Sequence, residues 1–425
     1  MSADASTLAR ELAASRERLQ RITADLGDDQ LLGPKLAIVN PPLWELGHLA
    51  WFQEFWCLRH RGDRPPLDSI LPGADALYDS AKVVHAARWN LPLPTIEGTR
   101  AYLADVLGLV QRRLESESEN ARLHYFADLA AFHEDMHAEA FHYSRQTLGL
   151  SNPFGDDAPH PDAAPPAAKD IALEGGTFLL GASPGTGFVF DNEKWAHEVL
   201  VAPFGIASTA VSNAQYAQFV EAGGYARREY WSAEGWAWLA ASAMKSPRYW
   251  VKEGNGWRLR RFDRAIALPG GHPVMHVNWH EANAYCRFAR RRLPTEAEWE
   301  FAASVDAAGS KRRFPWGDTA PQPHQANLQQ GGTAPVDAYA AGDSQSGCGQ
   351  LIGNVWEWTS STFDPYPCYE IDPYKEYSEP WFGTHKVLRG GSFATARRLV
   401  RNSWRNFYTP DRGDIFAGFR TARLQ

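Results

Sequence analysis

Apolar and polar positions divide the chain into two textures. Leu8, Leu12, Leu19, Ile22 and Leu26 recur near one face of a helical projection, with Arg10, Arg16, Arg18 and Arg21 largely off it. A second apolar run, rich in Trp and Phe, spans 43–60 behind the start signal Pro41-Pro42. Pro65-Pro66 and Leu71-Pro72-Gly73 then break the pattern into loop. A third helix is expected from Pro94-Thr95-Ile96-Glu97 to about 117, and 121–148, with neither Pro nor Gly, predicts a long fourth. Four such helices describe a bundle. The Pro/Ala/Asp-rich stretch that follows reads as a linker. Beyond it, short apolar runs are punctuated by Gly. Two helices stand out there: 279–289, and one opening at Thr295, where Thr295 and Glu298 form a capping box. The expected organisation is a helical domain at 1–152, a linker at 153–168 and a mixed α/β domain at 169–425.

Composition narrows the function classes. A chain of 425 residues exceeds a single small core, and 44% hydrophobic with 22% charged residues is ordinary for a globular protein. A net charge of −7 argues against nucleic acid as the main partner. No apolar run approaches the roughly 20 residues of a membrane helix. Met1-Ser2-Ala3-Asp4-Ala5 lacks the basic and apolar regions of a signal peptide, so a cytoplasmic location is expected. Cys57, Cys286, Cys348 and Cys368 show no CxxC spacing, which indicates neither a zinc ribbon nor a disulfide framework. The 17 Trp point to aromatic-lined pockets or repeated Trp motifs.

The candidate chemistry lies on the fourth helix. His133 and His137, four residues apart, project from one face with Cβ atoms about 5–6 Å apart. His48, in the second helix, offers a third imidazole. Three neutral imidazoles leave coordination positions open, as a catalytic metal needs. A helical His pair alone is a weak signal, because surface residues often supply it. Imidazole also suits iron, zinc and copper alike.

Several later strings carry a resemblance. They are Glu174-Gly175-Gly176-Thr177-Phe178, Arg292-Leu293-Pro294-Thr295-Glu296-Ala297-Glu298-Trp299-Glu300, Phe314-Pro315-Trp316-Gly317, Gly353-Asn354-Val355-Trp356-Glu357-Trp358 and Arg389-Gly390-Gly391-Ser392-Phe393. In this order they resemble the formylglycine-generating-enzyme/sulfatase-modifying fold, a C-type-lectin-like domain. Most of them read as packing elements. In the formylglycine-generating enzymes, active-site cysteines follow the Arg-Gly-Gly-Ser string. Ala394 to Tyr408 contain none here, so copper–thiolate chemistry is not expected.

Joined to a DinB-like bundle with His48, His133 and His137, the whole chain resembles the ergothioneine-type sulfoxide synthases. The resemblance implies iron(II) on those three histidines and O2 as co-substrate. It also implies a new bond from sulfur to C2 of the imidazole of hercynine (N,N,N-trimethylhistidine). The stretch 85–92 matches the basic loop that binds the donor, and 405–412 the loop that shapes both substrate sites. Tyr374 and Tyr377 lie where the family has its catalytic tyrosine, with Tyr374 preferred as a proton donor. Asn406 and the aromatic residues Trp381, Trp404, Phe407 and Tyr408 are candidates for holding the hercynine cation. Some relatives of the lectin-like domain carry calcium, so a structural Ca2+ stays open. The oligomeric state is not readable.

Departures from the family bear on the donor. Enzymes that take γ-glutamylcysteine carry an Arg pair in the basic loop; here His85 stands at one position and Arg88 remains. Their Asp two residues after the C-terminal Asn is replaced by Tyr408, while Arg412 is kept. Met136 replaces a Gln that reaches the hercynine imidazole. Two charge-assisted contacts, each worth roughly 1.5–3 kcal/mol, are thereby lost to a zwitterionic thiol. These departures favour the selenoneine synthase branch, whose donor is a selenosugar, over a cysteine-type donor. A ligand-binding module and a zinc-dependent thiol transferase are the alternatives from other classes. Neither needs O2, and the first needs no converging histidines.

Overall fold

The computed structural model describes residues 4–155, 162, 164, 169–306 and 309–424. Most of the linker expected at 153–168 lies outside the described residues. The chain forms two compact units, Met1–Ser144 with Gly185–Phe188, and Arg145–Pro184 with Val189–Gln425. No helix among the described residues is long and apolar enough to cross a membrane.

The first unit is helical. Helix α1 (Ala5–Thr23) starts at Asp4, whose carboxylate accepts from the Thr7 amide at 2.8 Å. Leu8, Leu12, Leu19 and Ile22 are fully buried, as the periodicity requires. Arg16 and Arg18 depart from that periodicity, because both are buried too. Arg16 pairs with Glu134 at 2.7 and 3.1 Å and donates to Gln53 at 2.8 Å, so a buried ion pair replaces the solvated arginine. A short α2 (Asp28–Leu32) precedes α3 (Pro42–Glu54), in which all but Leu43 are buried. This helix is the spine of the bundle, not an amphipathic surface helix. It runs on as a π-helical turn, Phe55–Arg59, where the sequence predicted one continuous α-helix. The expected loop is partly helical, with α4 (Ala74–Tyr78) and a 3-10 turn at His85–Asn90. Helix α4 packs close against α3, since a methyl at Gly47 would overlap the Tyr78 ring. Helix α5 (Ile96–Ser116) is capped by Thr95, and α6 (Ala121–Leu148) has the bounds its composition predicts.

The second unit is mixed α/β. In chain order its elements are β1 (Asp170–Leu173), β2 (Gly176–Leu180), β3 (His197–Val201), β4 (Phe204–Ala207), α7 (Asn213–Glu221), α8 (Ala233–Ser242), β5 (Trp250–Glu253), β6 (Gly256–Arg261) and β7 (Arg264–Ala267). After these come α9 (Trp279–Phe288), β8 (Arg291–Arg292), α10 (Glu296–Ser304), β9 (Trp356–Thr362), β10 (Lys386–Arg389), β11 (Asn406–Tyr408), β12 (Ala417–Gly418) and β13 (Ala422–Arg423). One sheet has the order β1-β4-β13-β8 and a second the order β11-β10-β9-β12, beside a β2-β3 hairpin and a β5-β6-β7 meander. Short strands from distant parts of the sequence thus pair, which no local pattern reveals. Thr295 and Glu298 make the predicted capping box of α10.

Buried charge holds these pieces together. Glu296 accepts from Arg389 at 2.8 Å and from Arg405 at 2.7 Å, and Glu300 also pairs with Arg389. Glu357 takes Arg420 at 2.6 and 2.8 Å and the Trp299 indole at 2.9 Å. Glu193 pairs with Arg401. The Glu of the Trp-Glu-Trp string and the Arg of the Arg-Gly-Gly-Ser string are therefore scaffold. At Gly390, with φ of 97°, an added Cβ would strike the Leu351 carbonyl, so glycine is required there.

Candidate metal centre

His48 comes from α3, and His133 and His137 from consecutive turns of α6. One ring nitrogen from each lies within 4.8 Å of the others. The ring centroids are 5.2 Å apart for His48–His133, 5.3 Å for His48–His137 and 4.4 Å for His133–His137. Aromatic packing fixes two of the rings. His48 stacks on Trp44 at 5.1 Å and on Trp51 at 5.9 Å, and His133 lies flat on Phe52 at 3.6 Å.

Hydrogen bonds fix the tautomers. The Tyr78 carbonyl lies 2.9 Å from His48 Nδ1, and a carbonyl only accepts, so that nitrogen carries the proton. Glu45 Oε1 lies 2.6 Å from His137 Nδ1 and imposes the same tautomer. In both rings the Nε2 lone pair is left for a ligand bond. Burial, then the neighbouring His137, pushes the His48 imidazole down to about 3. His133 is held well below its ordinary value by burial, then by His137 and His48. Both rings are therefore neutral near pH 7, the state a metal ligand requires. Three converging imidazoles, His48 and His133 among them held neutral, fit a divalent transition metal with open positions.

Residues 156–425 match the sulfatase-modifying factor enzyme 1-like domain, and residues 11–141 match the DinB superfamily. Over 432 aligned residues the chain is 39% identical to the hercynine oxygenase of Mycolicibacterium smegmatis, with 98% of each chain covered. The chain belongs to the hercynine oxygenase family. The hercynine oxygenase of Mycobacterium tuberculosis is 37% identical over 430 residues, again with 98% of both chains covered. The formylglycine-generating enzyme of Streptomyces coelicolor is 36% identical over 311 residues, covering 65% of this chain and 96% of that one. As a member of the hercynine oxygenase family, the protein is an enzyme.

The other predicted residues of this hercynine oxygenase family member fall in both units. In the first, Met136 is half-buried beside His137 on α6. His85 Nε2 lies 2.8 Å from the Val39 carbonyl. The Arg88 guanidinium stacks 3.8 Å over Trp44 and donates to Asn40 Oδ1 at 2.7 Å. In the second unit, Tyr377 stacks on Phe190 at 4.1 Å and meets Phe407 edge-on at 5.7 Å, while Tyr374 lies 6.1 Å from Tyr377. Burial, then the Glu193 carboxylate, pushes the Tyr377 hydroxyl well above its ordinary value, so it keeps its proton. Trp404 is 3% exposed and packs edge-on against Trp356, whereas Trp381 is 41% exposed. Asn406 Oδ1 accepts from the Phe407 amide, and Phe407 stacks on Phe363 at 4.0 Å. Arg412 lies over Tyr408 at 4.9 Å and is paired with Asp414 at 2.6 and 2.7 Å. Sequence reasoning missed Glu45, Asn40 and the Tyr78 carbonyl. The available signal was a single carboxylate in the apolar run Trp44-Glu45-Leu46-Gly47-His48.

Proposed function

We propose that the protein is an iron(II)- and O2-dependent enzyme that joins selenium of a selenosugar to C2 of the hercynine imidazole. The observation that carries the donor choice is His85 with Tyr408, where amino-acid-thiol users place Arg and Asp. Tyr408 offers a hydroxyl and a ring in place of a carboxylate, so an α-ammonium group finds no counter-charge at that position. The charge of Arg412 is already balanced by Asp414. Of these two arginines Arg88 is the one to attract an anionic selenolate, and a selenol ionises more readily than a thiol of pKa about 8.5.

In this reading His48, His133 and His137 hold the iron, which supplies the O2 chemistry when bound. Asn406 and the aromatic faces of Phe407, Tyr408, Trp381 and Trp404 hold the trimethylammonium group, each face worth about 0.5–2 kcal/mol. Met136, the sequence neighbour of His137 on α6, offers a soft, polarizable group. Tyr374 or Tyr377 keeps a proton for delivery to the reacting oxygen.

A sulfur donor is the second reading, favoured by the full-length similarity to proteins named hercynine oxygenase. Steady-state kinetics with hercynine, iron(II) and O2 separate the two. The selenosugar is expected to give a kcat/KM at least tenfold above those of cysteine and γ-glutamylcysteine. His85→Arg with Tyr408→Asp should move the preference toward γ-glutamylcysteine. Fastest turnover of a thiol by the unmodified enzyme would establish the sulfur reading instead. Equal activity with and without O2, on a zinc-loaded protein, would overturn both.

A further inference from the structure

We propose that Glu45 is a positioning residue of the metal centre, and that Asn40, itself held by Arg88, positions Glu45. The inference rests on the metal-binding reading of His48, His133 and His137. Glu45 lies on α3 three residues before His48 and is 3% exposed. Its Oε1 accepts from His137 Nδ1–H at 2.6 Å, and its Oε2 accepts from Asn40 Nδ2 at 3.3 Å. Asn40 Oδ1 in turn accepts from Arg88 Nη1 at 2.7 Å. Only one orientation of the Asn40 amide satisfies both neighbours, with its NH2 toward the carboxylate and its oxygen toward the guanidinium. The chain of bonds Arg88–Asn40–Glu45–His137 is therefore directional.

A second path closes the arrangement. Arg88 stacks on Trp44, the neighbour of Glu45, and Trp44 stacks on His48. Two of the three ligand rings are thus braced from one short segment, 40–45. The carboxylate does two things at His137. It keeps the proton on Nδ1, so that Nε2 faces the metal, and it raises the basicity of the ring. It also places a buried negative charge one imidazole away from a 2+ ion whose three ligands carry none. The 85–90 turn is anchored to the same bonds through Arg88, so the predicted donor loop and the metal centre share a support.

The test is metal affinity of the full-length protein, titrated anaerobically with Fe(II) against a chromophoric chelator and with Co(II) by its visible absorption. Glu45→Ala should weaken binding at least tenfold, within the 10–100-fold range of such outer partners, and alter the Co(II) spectrum. Glu45→Gln keeps an oxygen that accepts the same N–H, so it should recover part of the loss. Asn40→Ala should weaken binding at least threefold. Glu54→Gln removes a buried carboxylate on the same helix that accepts from Ser69, Tyr102 and the Ile70 amide and lies 4.0 Å from Arg59, and should stay within threefold of wild type. A Glu45→Ala loss below tenfold, or one matched by Glu54→Gln, overturns the proposal. Should Glu45→Ala fail to fold, Glu45→Gln takes its place, with threefold as the threshold. If wild-type protein takes up neither metal, the metal-binding reading fails and the inference with it. Metal uptake by wild type with unchanged Glu45 variants sinks the inference alone.

Discussion

His276 adopts a left-handed backbone conformation, with φ of 62°, and its ring is 1% exposed. Burial, then the charges of Arg248 and Arg260, pushes the imidazole down to about 3 from an ordinary 6.5. A folded value below the unfolded one means that its stability contribution is fully present above about pH 6.5. The contribution is lost as pH falls from there toward 3, at about 1.4 kcal/mol per pH unit. Asn tolerates the left-handed region, so His276→Asn should fold and take up about one proton fewer on unfolding between pH 6 and 4. Urea melts across that range measure the difference as a shallower slope of stability against pH. An unchanged slope would show that His276 is not buried neutral. At this scale the sequence revealed the converging histidines better than the groups that orient them. His48, His133 and His137 are legible from residue type and spacing. The Tyr78 carbonyl is invisible, because every residue has one and only the packing of α4 brings this one to His48. Glu45 and Asn40 were readable only as an acid and an amide near a histidine.

Helix α3 shows what Gly47 is for. A methyl there would overlap the Tyr78 ring, so α4 must retreat and carry with it the carbonyl that orients His48. Gly47→Ala is expected to cost about 1–3 kcal/mol of stability and to weaken metal binding as well. Thermal unfolding of metal-free protein and the metal titration read the two effects separately. A stable variant with unchanged affinity would mean that α4 does not orient the ring. Helix bounds were legible wherever a cap and an unbroken polar or apolar pattern coincide, as at Thr95, at Thr295 and along α6. The π turn after α3, α4 and the 3-10 turn at His85–Asn90 were not, because each depends on what it packs against. Arg16 and Arg18 misled for the same reason: a charged residue counts as solvent-facing until its partner on another helix is known. For Arg16 that partner is Glu134, next to His133 on α6, so neither buried charge of the pair stands alone.

In the whole molecule the three converging histidines and the recognisable strings lie in different units. All three imidazoles lie in the first unit, whose core of Leu8, Leu12, Leu49, Val106 and Phe141 forms without them. His137→Ala should therefore strip most of the metal while circular dichroism and the melting profile stay close to those of metal-free wild type. Full metal content in that variant would dismiss His137 as a ligand. The order of strands in the second unit could not be read from the chain, since β4 pairs on one side with nearby β1 and on the other with β13, Ile206 opposite Ala422 from the far end of the chain. The recognisable strings could be read, and Glu296, Glu300, Glu357, Arg389, Arg405 and Arg420 show their physical content: mutually neutralised ions in a dry interior. Such ions cannot drift singly. An exchange at Glu296 takes a carboxylate from Arg405 and leaves Arg389 leaning on Glu300. The signature by which this architecture is found is thus its internal wiring, and it says nothing about the reaction that the wiring supports.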